Sequence, residues 1–237
     1  VTPDVQIRRV ARVEARCAPM EWAWAEQNRS LVEANWKRRT AETPKMFNGR
    51  VLLLSRLEFE HDLCRNTYFA TDYANLVAWI DNGYPDESVA NGFAMGALRG
   101  SDGAFICGVM SAHTANAGRI YFAGGTPDLS DLRPDGAVDL ATSLTRELTE
   151  ETGLQDADYR VDDEWIIIRR WPTVALLRMV TLPMTAEEGA ALIRANIAKE
   201  PEPELQDVRI VRSTHDIDRE AMPLFQQSFF EWVFTQT

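Results

Sequence analysis

Apolar positions along this chain keep two rhythms, and the switches between them mark its elements. "VQIRRVARV" (5–13) alternates residue by residue, as a half-buried strand does. "PMEWAWAEQNRSLVEANWKRR" (19–39) has helical spacing and predicts one long amphipathic helix opened by Pro19. Its Trp22, Trp24 and Trp36 read as packing residues. "MFNGRVLLLSRLEFE" (46–60) predicts a turn at Asn48-Gly49 and then a strand. "LCRNTYFATDYANLVAWI" (63–80) predicts a strand running into a short helix that begins near Thr71 or Asp72.

The second half is punctuated more sharply. "FAMGALRGSDGAFICGVM" (93–110) places two apolar runs around Asp102-Gly103, a hairpin signal. "GRIYFAGG" (118–125) is a strand ending in a glycine pair. "DLATSLTRELTEET" (139–152) is a helix with Asp139 as N-cap and Gly153 as its stop. "YRVDDEWIIIRRWPTVALLRMVTLPM" (159–184) gives two strands, and "TAEEGAALIRANIAK" (185–199) a helix starting at Thr185. A strand at 207–213 and a helix at 223–234 close the chain. Helices and strands alternate, so the expected class is α/β, in layers. A boundary near residue 92 would divide an N-terminal α/β extension (1–91) from a catalytic domain (92–237).

Composition narrows the function classes. The net charge of −11 over 237 residues disfavours nucleic acid and anionic membranes as partners, because both need clustered Lys and Arg. Apolar runs such as "WIIIRRW" are strand-sized and broken by charge. "VTPDVQIRRV" has the form of neither a signal peptide nor a basic arm. Cys17, Cys64 and Cys107 are odd in number and widely spaced, which points to reduced thiols and a cytoplasmic setting. His61, His113 and His215 share no metal-ligand spacing.

The chemistry concentrates in "RELTEETGL" (146–154). At 100° per residue, Glu147, Glu150 and Glu151 fall within an arc of about 100°. Exposed carboxylates so placed repel one another, and a hard divalent cation would neutralise them. Leu144 and Leu148 would pin the helix to the sheet. Ser143, a small residue one turn before Glu147, would leave room above the acidic face, and Arg146 can pair with Glu150 at i, i+4. A charged, glycine-capped helix end is common, but this combination arises by chance in roughly one such chain in 10⁵.

The stretch resembles the core of the Nudix box, G-x(5)-E-x(7)-R-E-U-x-E-E-x-G-U, where U is aliphatic. The resemblance implies a Nudix-type α/β/α sandwich with a mixed sheet. It also implies hydrolysis, dependent on Mg²⁺ or Mn²⁺, of a nucleoside diphosphate linked to another group. Carried over by position, Glu147, Glu150 and Glu151 would bind metal, Arg146 would orient them, and a small-molecule nucleotide would be the partner. A homodimer is a guess from the family alone. The front of the box departs from the pattern: Val138 stands at its earlier glutamate and Leu132 at its glycine. Gly124-Gly125 look like the opening glycines, with backbone N–H groups for a phosphate. The inserted "TPDLSDLRPDGAV" reads as a solvated acidic loop, or as the source of a substitute carboxylate or substrate contact from Asp128, Asp131 or Asp135.

The resemblance leaves the general base open between a helix glutamate and Glu200, Glu202 or Glu204 in "KEPEPELQD", with Glu204 favoured. "PKMFNGRVLLLS", "YFATDYANLVAW" and "NGFAMGALRGSDGAFICG" resemble the layout of the UDP-glucose/UDP-galactose-hydrolysing subgroup over residues 44–154. That resemblance takes in Asn48, Gly49 and Tyr73, and implies a nucleotide sugar. ADP-ribose, a dinucleoside polyphosphate or a coenzyme A derivative are the alternatives. The rival from another class is a non-catalytic ligand-binding protein of the same fold, which the missing glutamate at Val138 would suit.

Overall fold

The computed structural model describes residues 5–236. Its large mixed sheet is built from β1 (Gln6–Val10), β5 (Asn91–Arg99), β6 (Phe105–Met110), β9 (Arg160–Arg170), β10 (Thr173–Thr181) and β11 (Leu205–Val211). The order is β1-β9-β10-β5-β6-β11. β10 and β5 run parallel and the other neighbours antiparallel. A smaller sheet, β2-β4-β3, comprises β2 (Arg12–Cys17), β3 (Arg50–Glu60) and β4 (Leu63–Asp72).

Alternation along the central strands explains the layers. On β5, Gly96 faces Leu144 and Leu148 of α4 (Leu140–Thr152), while Phe93 meets Phe225 of α6 (Leu224–Val233). On β6, Ile106 points toward α5 (Ala186–Ile197), while Phe105 packs on Phe229 and Phe230. Even and odd positions project to opposite faces. α4 and α5 therefore cover one face and α6 the other, an α/β/α sandwich with the small N-terminal sheet beside it. That sheet is itself buried on both sides. Leu52, Leu54 and Tyr68 join the main core, while Leu53 and Phe69 pack with Trp22, Leu76 and Trp79.

Three expectations fail locally: the strand predicted at 118–125 is two short strands, at 120–121 and 124–125, and two earlier elements are divided as well. The strand predicted at 5–13 is two strands, broken at Ala11: β1 pairs β9 in the large sheet and β2 pairs β4 in the small one. Alternation alone does not say which sheet a strand enters. The helix predicted at 19–39 is likewise two, α1 (Ala23–Gln27) and α2 (Arg29–Glu42). They break at Asn28, whose side-chain amide donates to the Trp24 carbonyl. Such local side-chain bonds compete with the helical ladder.

The feature that builds the site is a wedge. β5 and β6 are in register only at Arg99 and Phe105 and then diverge. The gap is crossed by β7 (Ile120–Tyr121), which pairs β6, and β8 (Gly124–Gly125), which pairs β5. The glycine pair thus lies against the middle of the sheet, beside α4. Among the described residues no helix is long and apolar enough to cross a membrane. All three cysteines are free thiols, and burial pushes Cys64 up to about 12.

Candidate active site

α4 starts and stops where its sequence says. Asp139 accepts from the Thr142 backbone N–H at 3.1 Å, and Gly153 takes a left-handed φ of 72° while its N–H donates to the Thr149 carbonyl. Leu144 and Leu148 are fully buried against the sheet. That contact turns Glu147 and Glu151 toward β8.

The two carboxylates meet the glycine pair at very short range. The Gly124 N–H donates to Glu151 Oε1 at 3.0 Å. A Cβ on Gly125 would stand 3.1 Å from the Glu147 carboxyl group, and one on Gly124 would lie 2.4 Å from the Ala94 carbonyl oxygen. Only glycine lets helix and strand approach this closely. The expected phosphate-facing N–H of Gly124 is therefore engaged by Glu151.

Glu151 is buried, and its Oε2 has no hydrogen-bond partner among the described residues. A buried carboxylate oxygen left bare is expensive. Burial, and then the charges of Glu147, Glu204 and Glu150, push Glu151 well up from the ordinary carboxylate range against the lowering effect of Gly124 N–H. Glu147 rises to about 7, chiefly by burial and further through Glu150 and Glu204, despite Arg146 beside it. Glu204 is exposed, and its charge reaches both helix carboxylates. Its backbone is fixed by Ser111, whose N–H donates to the Glu204 carbonyl at 2.8 Å and whose hydroxyl donates to that of Pro203 at 2.7 Å.

The other candidate residues bond to near neighbours. Glu150 is exposed and makes with Arg146, at 3.0 Å, the i, i+4 pair that the spacing suggested. Asp128 spends its carboxylate on the Ser130 N–H and hydroxyl, both at 2.6 Å, capping a short 3-10 turn at Leu129–Asp131. Asp135 caps Ala137 in the same way. Ser143 does not open space. It is buried, and its hydroxyl donates to Asp131 at 3.1 Å.

Tyr121 and its partner Asn116 escaped the sequence reading. Tyr121, three positions before the glycines, is buried with its hydroxyl oxygen accepting from Asn116 Nδ2 at 3.1 Å. Burial first, then Glu151 and Glu204, push it upward, so it stays a neutral donor. Its only signal in the sequence was its place in the strand that leads to the glycine pair.

Among the described residues, no three His, Cys, Asp or Glu side chains converge tightly enough to enclose an ion as they stand. The residues nevertheless fit a divalent cation in their chemistry. A hard oxygen donor on Glu151 lacks a partner, a second sits on Glu147, and a third carboxylate, Glu204, faces both.

The chain is similar to a Nudix hydrolase. That structure, RenU of M. smegmatis, matches with a TM-score of 0.38 and 12% identity, over 60% of this chain and 83% of that one. An Ap4A hydrolase of C. elegans, in a binary complex, matches with a TM-score of 0.41 and 11% identity, over 62% and 97%. The MutT protein of Methanosarcina mazei matches with a TM-score of 0.36 and 17% identity, over 62% and 94%. No protein-family model matches the sequence, and no curated protein matches it either.

Proposed function

We propose that this protein is a divalent-cation-dependent Nudix-type hydrolase that cleaves the pyrophosphate bond of a nucleoside diphosphate linked to another group, with a nucleotide sugar as the first candidate. The observation that carries the reading is the buried Glu151, whose second oxygen has no partner while Glu147 stands beside it. Two carboxylates pressed together in a dry cleft are unfavourable unless a proton or a cation joins them.

Glu147 and Glu151 would hold Mg²⁺ or Mn²⁺, with Glu204 close enough in charge to contribute. A bound cation would neutralise the phosphoryl oxygens and favour the leaving phosphate. The chain's own groups supply the rest. Glu204, exposed and facing the pair, takes the proton of the attacking water. As the water oxygen bonds to phosphorus, the bridging P–O bond breaks and its electron pair leaves with the departing phosphate. Tyr121, held by Asn116, keeps a neutral O–H within reach of the charges of Glu151 and Glu204. Arg146 keeps Glu147 and Glu150 in fixed rotamers through contacts of 2.8 and 3.0 Å.

The test is phosphate-coupled hydrolysis with Mg²⁺ or Mn²⁺ on a panel of UDP-glucose, ADP-ribose, a diadenosine polyphosphate, coenzyme A and a nucleoside triphosphate. UDP-glucose is expected to turn over fastest. Faster turnover of another compound replaces the nucleotide sugar with that substrate. No turnover of any of them, with no Mn²⁺ bound, would favour a ligand-binding protein.

Gly125→Ala supplies a local check. Its Cβ would first meet the end of the Glu147 side chain, so the fold is expected to hold while activity falls about 10-fold through displacement of that carboxylate. Gly124→Ala meets backbone instead and is expected to lower the unfolding midpoint. Equal activity of Gly125→Ala and the parent would remove Glu147 from the reacting centre.

A further inference from the structure

We infer that Asp131, supplied by the inserted segment 126–138, is a positioning residue that engages one arm of the Arg146 guanidinium, so that Glu147 meets a single guanidinium nitrogen rather than both and stays available to a cation. The inference rests on the hydrolase reading above and adds a residue to it.

Asp131 is a carboxylate 5% exposed in a stretch that otherwise reads as solvated turn. A buried charge persists only when paired and hydrogen-bonded. Asp131 has three donors, one of them charged. Ser143 Oγ donates to its Oδ2 at 3.1 Å, the Asp128 N–H donates to the same oxygen at 3.0 Å, and Arg146 Nη2 lies 3.3 Å from Oδ1. Two of these partners, Ser143 and Arg146, belong to α4, one turn apart on the face that carries Glu147.

The fork of Arg146 explains what the pairing accomplishes. Nη2 goes to Asp131, and Nη1 alone serves Glu147 at 2.8 Å and Glu150 at 3.0 Å. A guanidinium with both nitrogens free would meet one carboxylate with two parallel bonds, its preferred geometry. With Asp131 neutral, that carboxylate would be Glu147. The full positive charge would then sit on the group that has to attract a cation.

The insertion is in turn clamped to the small sheet. Leu52 N–H donates to the Pro127 carbonyl at 2.7 Å, Cys17 N–H to Gly136 at 2.9 Å, and Val138 N–H to Ala15 at 2.9 Å. β2 and β3 thereby set where Asp131 stands. Asp131 and the Asp139 cap thereby link the N-terminal sheet to α4.

The test titrates Mn²⁺ alone, read by its electron paramagnetic resonance signal, into the full chain, Asp131→Asn, Arg146→Met, the double variant and Glu151→Gln. Asp131→Asn is expected to bind Mn²⁺ about 10-fold more weakly. In the Arg146→Met background the same change is expected to alter affinity less than about 2-fold, because the path through the guanidinium is gone. Parental affinity in Asp131→Asn, or an equal loss in both backgrounds, would overturn the inference. If Asp131→Asn fails to fold, Ser143→Ala and Asp131→Glu decide. Ser143→Ala should weaken Mn²⁺ about 3-fold while Asp131→Glu stays closer to the parent, and parental affinity in Ser143→Ala overturns it. Glu151→Gln separates the two claims. Unchanged Mn²⁺ affinity there sinks the hydrolase reading itself. Loss there with none in Asp131→Asn sinks only the role of Asp131.

Discussion

Glu151→Gln is expected to lower kcat by about 10³-fold and, in the metal-free protein at pH 8, to raise the unfolding midpoint by about 3 °C. The loss follows from removing a charged ligand. A Lewis-acidic cation contributes several kcal/mol of charge stabilisation in the transition state, and about 4 kcal/mol is a thousandfold. The gain follows from the same side chain. Glutamine keeps the acceptor that Gly124 N–H uses and removes a charge that the buried Oε2 position leaves without a partner. A chain of this length gains about 2–4 °C per kcal/mol. Melting curves with and without Mg²⁺, beside steady-state rates, check both halves. A variant that is less stable, equally active and still stabilised by Mg²⁺ would show that Glu151 is merely structural.

The pH dependence of stability carries the second large effect. Glu147 rises to about 7 in the folded chain from an ordinary 4.5, and Glu151 shifts the same way, both first by burial. A raised folded pKa means that the group's contribution is complete below its unfolded value and is lost as pH climbs through the folded one. The metal-free protein is therefore expected to lose stability between pH 5 and pH 8, with Glu147 accounting for roughly 3 kcal/mol at most. Asp139 and Asp216 shift the other way, are already ionised at pH 5, and leave this window to the two glutamates. Mg²⁺ should restore the loss at pH 8 and do little at pH 5, where protons occupy the carboxylates. Differential scanning calorimetry at the two pH values, with and without Mg²⁺, provides the measurement. A metal-free midpoint that is flat with pH, or an equal Mg²⁺ shift at both, would contradict the burial of these groups.

What could be read beforehand was local. Asp139, Thr185 and Gly153 mark helix ends because capping is settled within three or four residues, and α4 and α5 begin beside the two caps. Asp102-Gly103 joined β5 to β6 for the same reason, as a turn whose chemistry lies in the turn itself. The acidic face of α4 was visible in its spacing, but its division was not. Whether Glu147, Glu150 or Glu151 meets the glycine pair depends on how the leucines seat the helix, and that left Glu150 outside with Arg146. Asp131 was legible only as one acid among several, because its burial needs Ser143 from a helix twelve positions away and a clamp from strands more than seventy positions back. The break of α1 from α2 at Asn28 and the change of sheet at Ala11 were hidden for the same cause: each is decided by what the segment packs on.

The pairing of β1 with β9 has a consequence for the chain as it leaves the ribosome. Gln6 finds its partner at Arg169, so the first described strand is made long before the strand it joins. At about 5–20 residues per second, the wait is roughly 10–30 s. Through that time an arginine-bearing strand with open N–H and C=O groups has no lawful neighbour. Arg8 and Arg9, exposed on opposite faces of β1, are the kind of charge that keeps a waiting edge from joining a stranger. That edge of the large sheet therefore has to stay protected until β9 has been synthesised.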